Sequence, residues 1–431
     1  MRELRIGLCA LVGFAVVAHG VVEAWSACVL EVGAALLLLY WTWLVYRDPE
    51  AKIQWHPLNW PFLAFIFVGF AQWLFGRTAY PYLTRGELLK LGAYFIFFFL
   101  AVQAFRARPD LTKLLWFLIF LGFAISLQGI VQHFTSPAEI YGFRKLPVGG
   151  DPFGPYVNRN HFAGFVELTA PVALALIVFR GLRRDLFVMA GVLAIVPIGA
   201  LIFSGSRGGI VGFGFEVGVL VLLARSARMK EGPRIGAIAI LGLASIALIA
   251  WLGAGHAIER FSGLHAGDVT LSRRWTMFIG ASHLLRDHKF SGAGLGTFVS
   301  VYPRYETLYD GKVVDHAHND YIETLAETGL LGGLCGLIFL WILFRQAQAI
   351  FRSEQGHFSR GLHAAGITAV SGILLHSVVD FNLHIPSNVM LFLLQAYLAT
   401  SPPLPSEGPP PVRRHHHRSR RDAYAPSEVT G

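Results

Sequence analysis

Charge is scarce in this sequence. Asp, Glu, Lys and Arg make up 15% of its 431 residues, where a soluble domain carries about 25%. That deficit, with 54% hydrophobic residues and a mean hydropathy of +0.52, excludes an ordinary soluble globular chain and points to one integral membrane domain. Cysteine is scarcer still. Cys9, Cys28 and Cys335 are odd in number and each lies in an apolar segment, which excludes a disulfide framework and leaves buried, inert thiols as the expectation. No small-residue cleavage site precedes Trp25, so the opening Met1-Arg2-Glu3-Leu4-Arg5 and the apolar run behind it read as a retained, signal-anchor-like first helix. An internal repeat is missing too, as is any Asp-x-Asp pair to hold a divalent ion on a diphosphate.

What is present is hydrophobic length. Apolar windows long enough to cross a bilayer, about 17–25 residues, fall near 6–24, 26–46, 58–75, 88–105, 111–133, 161–179, 186–204, 208–224, 234–255, 322–344, 362–380 and 386–400. The fold class expected is therefore an all-α integral membrane protein with about twelve transmembrane helices. The positive charges test that count. With both termini inside, 22 of the chain's 36 Lys and Arg fall on cytoplasmic pieces, and the short outer turns near 25 and 381–386 carry none. This is the positive-inside pattern. The net charge of +9 follows from topology and gives no reason to invoke nucleic acid, although Arg413-Arg414-His415-His416-His417-Arg418 suits anionic lipid.

Residues 1–400 thus form one polytopic domain, and 401–431, rich in Pro and basic residues, reads as a disordered cytoplasmic tail. Two outer loops, about 134–160 and 256–321, are too long to be simple connections. Within the second, Trp275, Phe278, Ile279 and Leu285 give Ser272–Arg286 a helical apolar stripe, and Ser291-Gly292-Ala293-Gly294-Leu295-Gly296 reads as a turn.

The polar residues gather where that loop meets the next span. Asp315-His316-Ala317-His318-Asn319-Asp320-Tyr321 runs on through Glu323 and Glu327 to Gly329, at the mouth of an apolar run. Titratable groups at that depth are costly and mark function. An imidazole, whose ordinary pKa is about 6.5, can take a proton from a hydroxyl, which makes His318 the candidate base. A metal is the rival reading: His-x-His in extended chain puts both rings on one face, and Asp315 or Asp320 could complete the set, but no second ligand pair appears in the outer loops. Arg207, flanked by glycines in Ser204-Gly205-Ser206-Arg207-Gly208-Gly209, lies at the outer junction of two helices, and Arg273 and Arg274 open the loop helix in the same compartment. Guanidinium groups match phosphate oxygens in pairs. Asn158-Arg159-Asn160-His161 enters the sixth span, with Asn160 as a candidate N-cap and Arg159 and His161 able to line the same pocket. Asp380, Asn382, His384 and Asn388 form a polar knot between the last two spans, expected to be structural.

Taken together, His318-Asn319-x-Tyr321-x-x-x-Leu325-x-Glu327-x-Gly329-x-x-Gly332, Ser206-Arg207-Gly208-Gly209, Asn160-His161-Phe162-Ala163, and Arg274 four residues before Phe278 followed by Asp287-His288-x-Phe290-x-Gly292-x-Gly294-x-Gly296 resemble the bacterial O-antigen ligase/polymerase family. The family usually has Pro where this chain has Lys289. The resemblance implies a GT-C-like glycosyltransferase of the inner membrane. It would move a glycan from undecaprenyl diphosphate to a lipid A core, glycan or protein hydroxyl at the periplasmic face, inverting, with no metal or other cofactor. It also implies roles: Arg207 and Arg274 on the diphosphate, His318 on the acceptor hydroxyl, and Arg273, Asn160, His161, Arg159, His316, Asn319, Tyr321 and Glu327 around the substrates. A transporter of the same lipid-linked sugars is the alternative from another class, and would require matching halves around a polar path at mid-membrane.

Overall fold

The computed structural model describes residues 1–48, 50–146, 150–227, 232–262, 271–309, 311–353 and 356–404. Fourteen helices follow one another among them: α1 (Arg2–Val17), α2 (Ala24–Arg47), α3 (Asn59–Leu74), α4 (Pro81–Ala104), α5 (Arg108–Thr135), α6 (Arg159–Val178), α7 (Arg184–Ser204), α8 (Arg207–Ser226), α9 (Gly236–Ser262), α10 (Leu271–Asp287), α11 (Phe298–Val301), α12 (Asp320–Ser353), α13 (His357–His376) and α14 (Pro386–Thr400). Each apolar window read from the sequence falls on one of them. Eight are long and apolar enough to cross a membrane, and Asn59–Leu74 and Gly236–Leu248 are shorter apolar helices. The protein is an all-α membrane protein, with one two-residue hairpin, Glu139–Ile140 against Arg144–Lys145, in the 134–160 loop. The tail expected to be disordered lies outside the described residues from position 405 on.

Burial sorts the helices into a centre and a rim. α6 is buried along its whole apolar window and α13 along 83% of its own, whereas α2 is buried over only 17%. Leu36, Leu39, Phe67, Leu243, Leu337 and Trp341 stay exposed on the rim, which suits a surface solvated by acyl chains rather than water. The cysteines belong to that rim: all three are free, Cys28 is exposed, and Cys9 and Cys335 are half-buried, so the expectation of buried thiols fails. Short residues line the central seam. Glycines at 208, 212 and 372 leave room for His376, Glu167 and Glu216 respectively, three polar groups buried where α6, α8 and α13 meet.

α12 departs from a continuous helix in a way that places the site. At Gly329 its backbone turns to φ 63°, ψ −166°, a conformation open to glycine alone. The break frees Leu330 N–H to donate to Lys289 O at 2.8 Å, while Ala293 N–H donates to Ala326 O at 2.9 Å and Gly294 N–H to Glu327 O at 3.0 Å. The 289–294 loop is therefore laid against the opened helix backbone. A Cβ at Gly292 would overlap the Glu327 carbonyl, and one at Gly329 the Phe290 carbonyl. Lys289, the departure from the family pattern, contributes its backbone carbonyl here, so its side chain is free of that role. Gly329→Ala and Gly292→Ala should each cost about 1–3 kcal/mol, read as a lower melting temperature in detergent; an unchanged melt would mean the two backbones are not held together as described.

Candidate active site

The residues that gather at one end of the bundle do so around one carboxylate. Asp380 follows the last turn of α13 and is fully buried. Phe381 N–H donates to its Oδ1 at 2.9 Å and the Asn160 amide to its Oδ2 at 2.5 Å. Arg274 Nη2 stands 3.5 Å from Oδ2, and Arg274 also donates to the Val379 carbonyl. His318 Nδ1 lies 3.5 Å from Oδ1, at ion-pair rather than hydrogen-bond distance, and His161 Nε2 3.9 Å from the same oxygen. Burial alone would raise the Asp380 pKa, but the facing His318 ring and the Arg274 charge overcome it and hold the carboxyl well below its usual range.

Local sequence explains how each group arrives. Asn158, in extended conformation, accepts from Asn160 N–H at 2.8 Å and caps α6. The expected cap, Asn160, is thus displaced by two residues, and its own side chain is released toward Asp380. Asn319 caps α12, accepting from Tyr321 and Ile322 N–H at 3.0 Å each, and its amide reaches Val378 O at 2.8 Å. Tyr321 donates to Leu374 O at 2.6 Å. Both residues thereby bind the end of α13 that carries Asp380. His318 has φ 49°, an uncommon left-handed conformation for a residue other than glycine. That twist overturns the extended His-x-His reading: His316 pairs with Glu323 at 2.6 Å while His318 faces Asp380.

Arg207 is exposed at the first position of α8. Its neighbour Gly208 packs against His376 and Val379, where a Cβ would come within 2.7 Å of His376 Nε2. Three sequence-chosen residues sit elsewhere. Arg159 pairs with Asp151 at 2.9 Å and holds the 134–160 loop, and Arg273 stands beside Tyr302. Glu327 accepts from Gly296 and Phe298 N–H, both at 2.9 Å, and clamps the glycine turn.

The polar knot after α13, expected from the sequence to be structural, lies against this cluster. Asn382 and Asn388 are structural as expected, bonded to each other at 3.3 Å, with Asn388 also donating to His161 O. Asp380 and Phe381 are central to the site. The Phe381 ring stacks on His316 at 4.2 Å and meets His161 and His318 edge-on at 4.6 and 4.9 Å. His384 Nδ1 lies 2.7 Å from Asp320 and its Nε2 3.4 Å from Glu323. Burial would lower its pKa, but the Glu323 and Asp320 carboxylates push it up to about 10. The signal was there: an aspartate standing alone in the short outer turn between two apolar spans. Beside the cluster opens a cavity of about 1510 Å³, with His161, His316, Asp320, Phe381 and His384 at its polar end and α2, α4 and the apolar half of α12 as walls.

A depressed Asp380 pKa fixes the sign of a pH effect. Its stabilisation is present above the unfolded value, about 3.9, and is lost as pH falls through the lower folded value. Asp380→Asn, which leaves the Arg274 guanidinium without its carboxylate partner, should cost about 3–5 kcal/mol at neutral pH. The melting gap to wild type should stay constant from pH 5 to 8 and narrow only in stronger acid; a gap that closes near pH 6 would contradict the pairing.

Comparison with known proteins follows the same residues. Positions 189–337 match the family model described as O-antigen ligase. The chain is also 24% identical over 351 residues, 75% of its length and 68% of the relative's, to the teichuronic acid biosynthesis protein TuaE of Bacillus subtilis (strain 168). The matched stretch holds Arg207, Arg274, His316, His318 and the break in α12 at Gly329, while Asn160, His161 and Asp380 lie outside it; the likeness to the O-antigen ligase/polymerase family read from the motifs is borne out.

Proposed function

We propose that this protein transfers a glycan from undecaprenyl diphosphate to an acceptor hydroxyl at the periplasmic face of the inner membrane, as an inverting O-antigen ligase that needs no metal for the reaction. Twelve helices span, both termini are cytoplasmic, and the fold is GT-C-like in this reading. The observation that carries it is the convergence of Arg274, His318 and Asn160 on buried Asp380, next to a cavity walled by α2, α4 and α12. A diphosphate is already a good leaving group. What its departure requires is positive charge over the phosphate oxygens and a base for the incoming hydroxyl.

Arg274 and Arg207 supply the charge. The carboxylate of Asp380 and the Val379 carbonyl fix the Arg274 guanidinium. Asp380 also faces His318 Nδ1, which orients the ring so that Nε2 takes the acceptor proton. The cavity holds the polyprenyl chain against α2, α4 and α12, and its polar end holds the first sugar.

Polymerase action is the second reading, favoured by the name of the Bacillus relative, which assigns it to the biosynthesis of a polymer. A protein hydroxyl as acceptor uses the same site. The transporter alternative loses ground because the sequence shows no matching halves.

Purified protein in detergent, given a polyprenyl-diphosphate-linked glycan, should transfer it equally well with and without EDTA. His318→Ala should slow transfer by at least about 10²-fold, and Arg274→Ala or Arg207→Ala by about 10²–10³-fold. Full transfer by the His318 and Arg207 variants would sink the mechanism. Offering a lipid A core and a second donor glycan side by side separates ligase from polymerase by which one is extended.

A further inference from the structure

The cluster formed by His316, Glu323 and His384 borders the sugar end of the cavity in the function proposed above and takes no part in breaking or forming a bond there. Its three ligand atoms, one per residue, all lie within 4.8 Å of one another. His316 Nδ1 is 2.6 Å and His384 Nε2 3.4 Å from the same oxygen, Glu323 Oε1. The other Glu323 oxygen is occupied by Ala317 N–H at 2.7 Å, which aims Oε1 at the two rings.

A second shell is present as well. The remaining His384 nitrogen, Nδ1, lies 2.7 Å from Asp320 Oδ1, and Asp320 is held in turn by Leu383 N–H at 3.0 Å. A carboxylate behind a histidine, fixing its tautomer and turning the far nitrogen toward a shared point, is the arrangement that supports metal-bound imidazoles. Asp320, Glu323 and Glu327 lie on one face of α12 and are each less than 5% exposed. All three ligands line the cavity, which leaves a fourth position open to water or substrate.

We propose that His316, Glu323 and His384 bind a first-row transition-metal dication, Zn²⁺ foremost. Two imidazole nitrogens and one carboxylate oxygen suit zinc, while Mg²⁺ and Ca²⁺ demand oxygen donors. The ion ties the 315–317 loop to α12 and to the turn after α13, and so stiffens the polar end of the cavity. None of its ligands pairs with Asp380, so it is a structural and substrate-facing ion and not the group that stabilises the departing diphosphate.

The test reads bound metal, so it can fail without touching the transfer mechanism. Full-length protein in which the tail histidines His415, His416 and His417 are replaced by Ala is loaded with ZnCl₂, dialysed and assayed by atomic emission. It should keep about one Zn²⁺ per chain, show a higher melting temperature with zinc than after EDTA, and still transfer glycan after EDTA at low temperature. Adding His316→Ala and His384→Ala should remove the ion and the melting shift. Asp320→Asn, which spares all three ligands, should weaken zinc affinity by about 10–100-fold. No zinc retained by the tail-substituted chain overturns the proposal, as does equal retention when the two ring ligands are gone.

Discussion

A buried aspartate that stays ionised is expensive in any protein and more so at the edge of a bilayer, and this one is maintained by drawing in a guanidinium, an amide and two imidazoles from separate parts of the chain. Asp380 reaches Arg274 of α10, Asn160 and His161 of α6, and His318 before α12. The cost of leaving such a carboxylate unpaired exceeds what any single contact returns, so the arrangement holds together as a unit. The active groups are thus positioned by a shared electrostatic demand rather than by the rigidity of one loop.

Backbone geometry supplies the rest. Where α12 opens at Gly329, its unpaired peptide groups accept and donate to residues 289–294, and the helix below continues into the apolar layer. Glu327 and Gln72 close the same turn from either side, with Gln72 donating to Glu327 O at 2.7 Å and accepting from Leu295 N–H at 3.1 Å. The polar half of α12 can therefore face the site while the apolar half faces lipid, although both belong to one continuous element.

Much of this was legible in the sequence, because the membrane makes hydrophobic length and charge placement informative. Apolar windows located the helices, and the stripe through Trp275 and Phe278 located α10 as Leu271–Asp287. The motifs named His318 and Arg274, which the fold brings to one carboxylate. The carboxylate itself was read as structural, since a single Asp in a short turn has no periodicity to mark it and its partners lie far away in sequence. Arg159 and Glu327 show the converse. Both were expected around the substrates, yet one anchors a loop through Asp151 and the other caps backbone amides, contacts that depend on tertiary neighbours the sequence does not list. The left-handed turn at His318 was equally hidden, and it alone separates the fates of two histidines one residue apart.

The position of Asp380 along the chain also has a consequence for biogenesis. A nascent chain that stops short of α13 already contains Asn160, Arg274 and His318, but nothing to gather them. The cluster is completed only once α13 and the turn after it have been made, so a chain that ends before Asp380 lacks the carboxylate that draws these groups together.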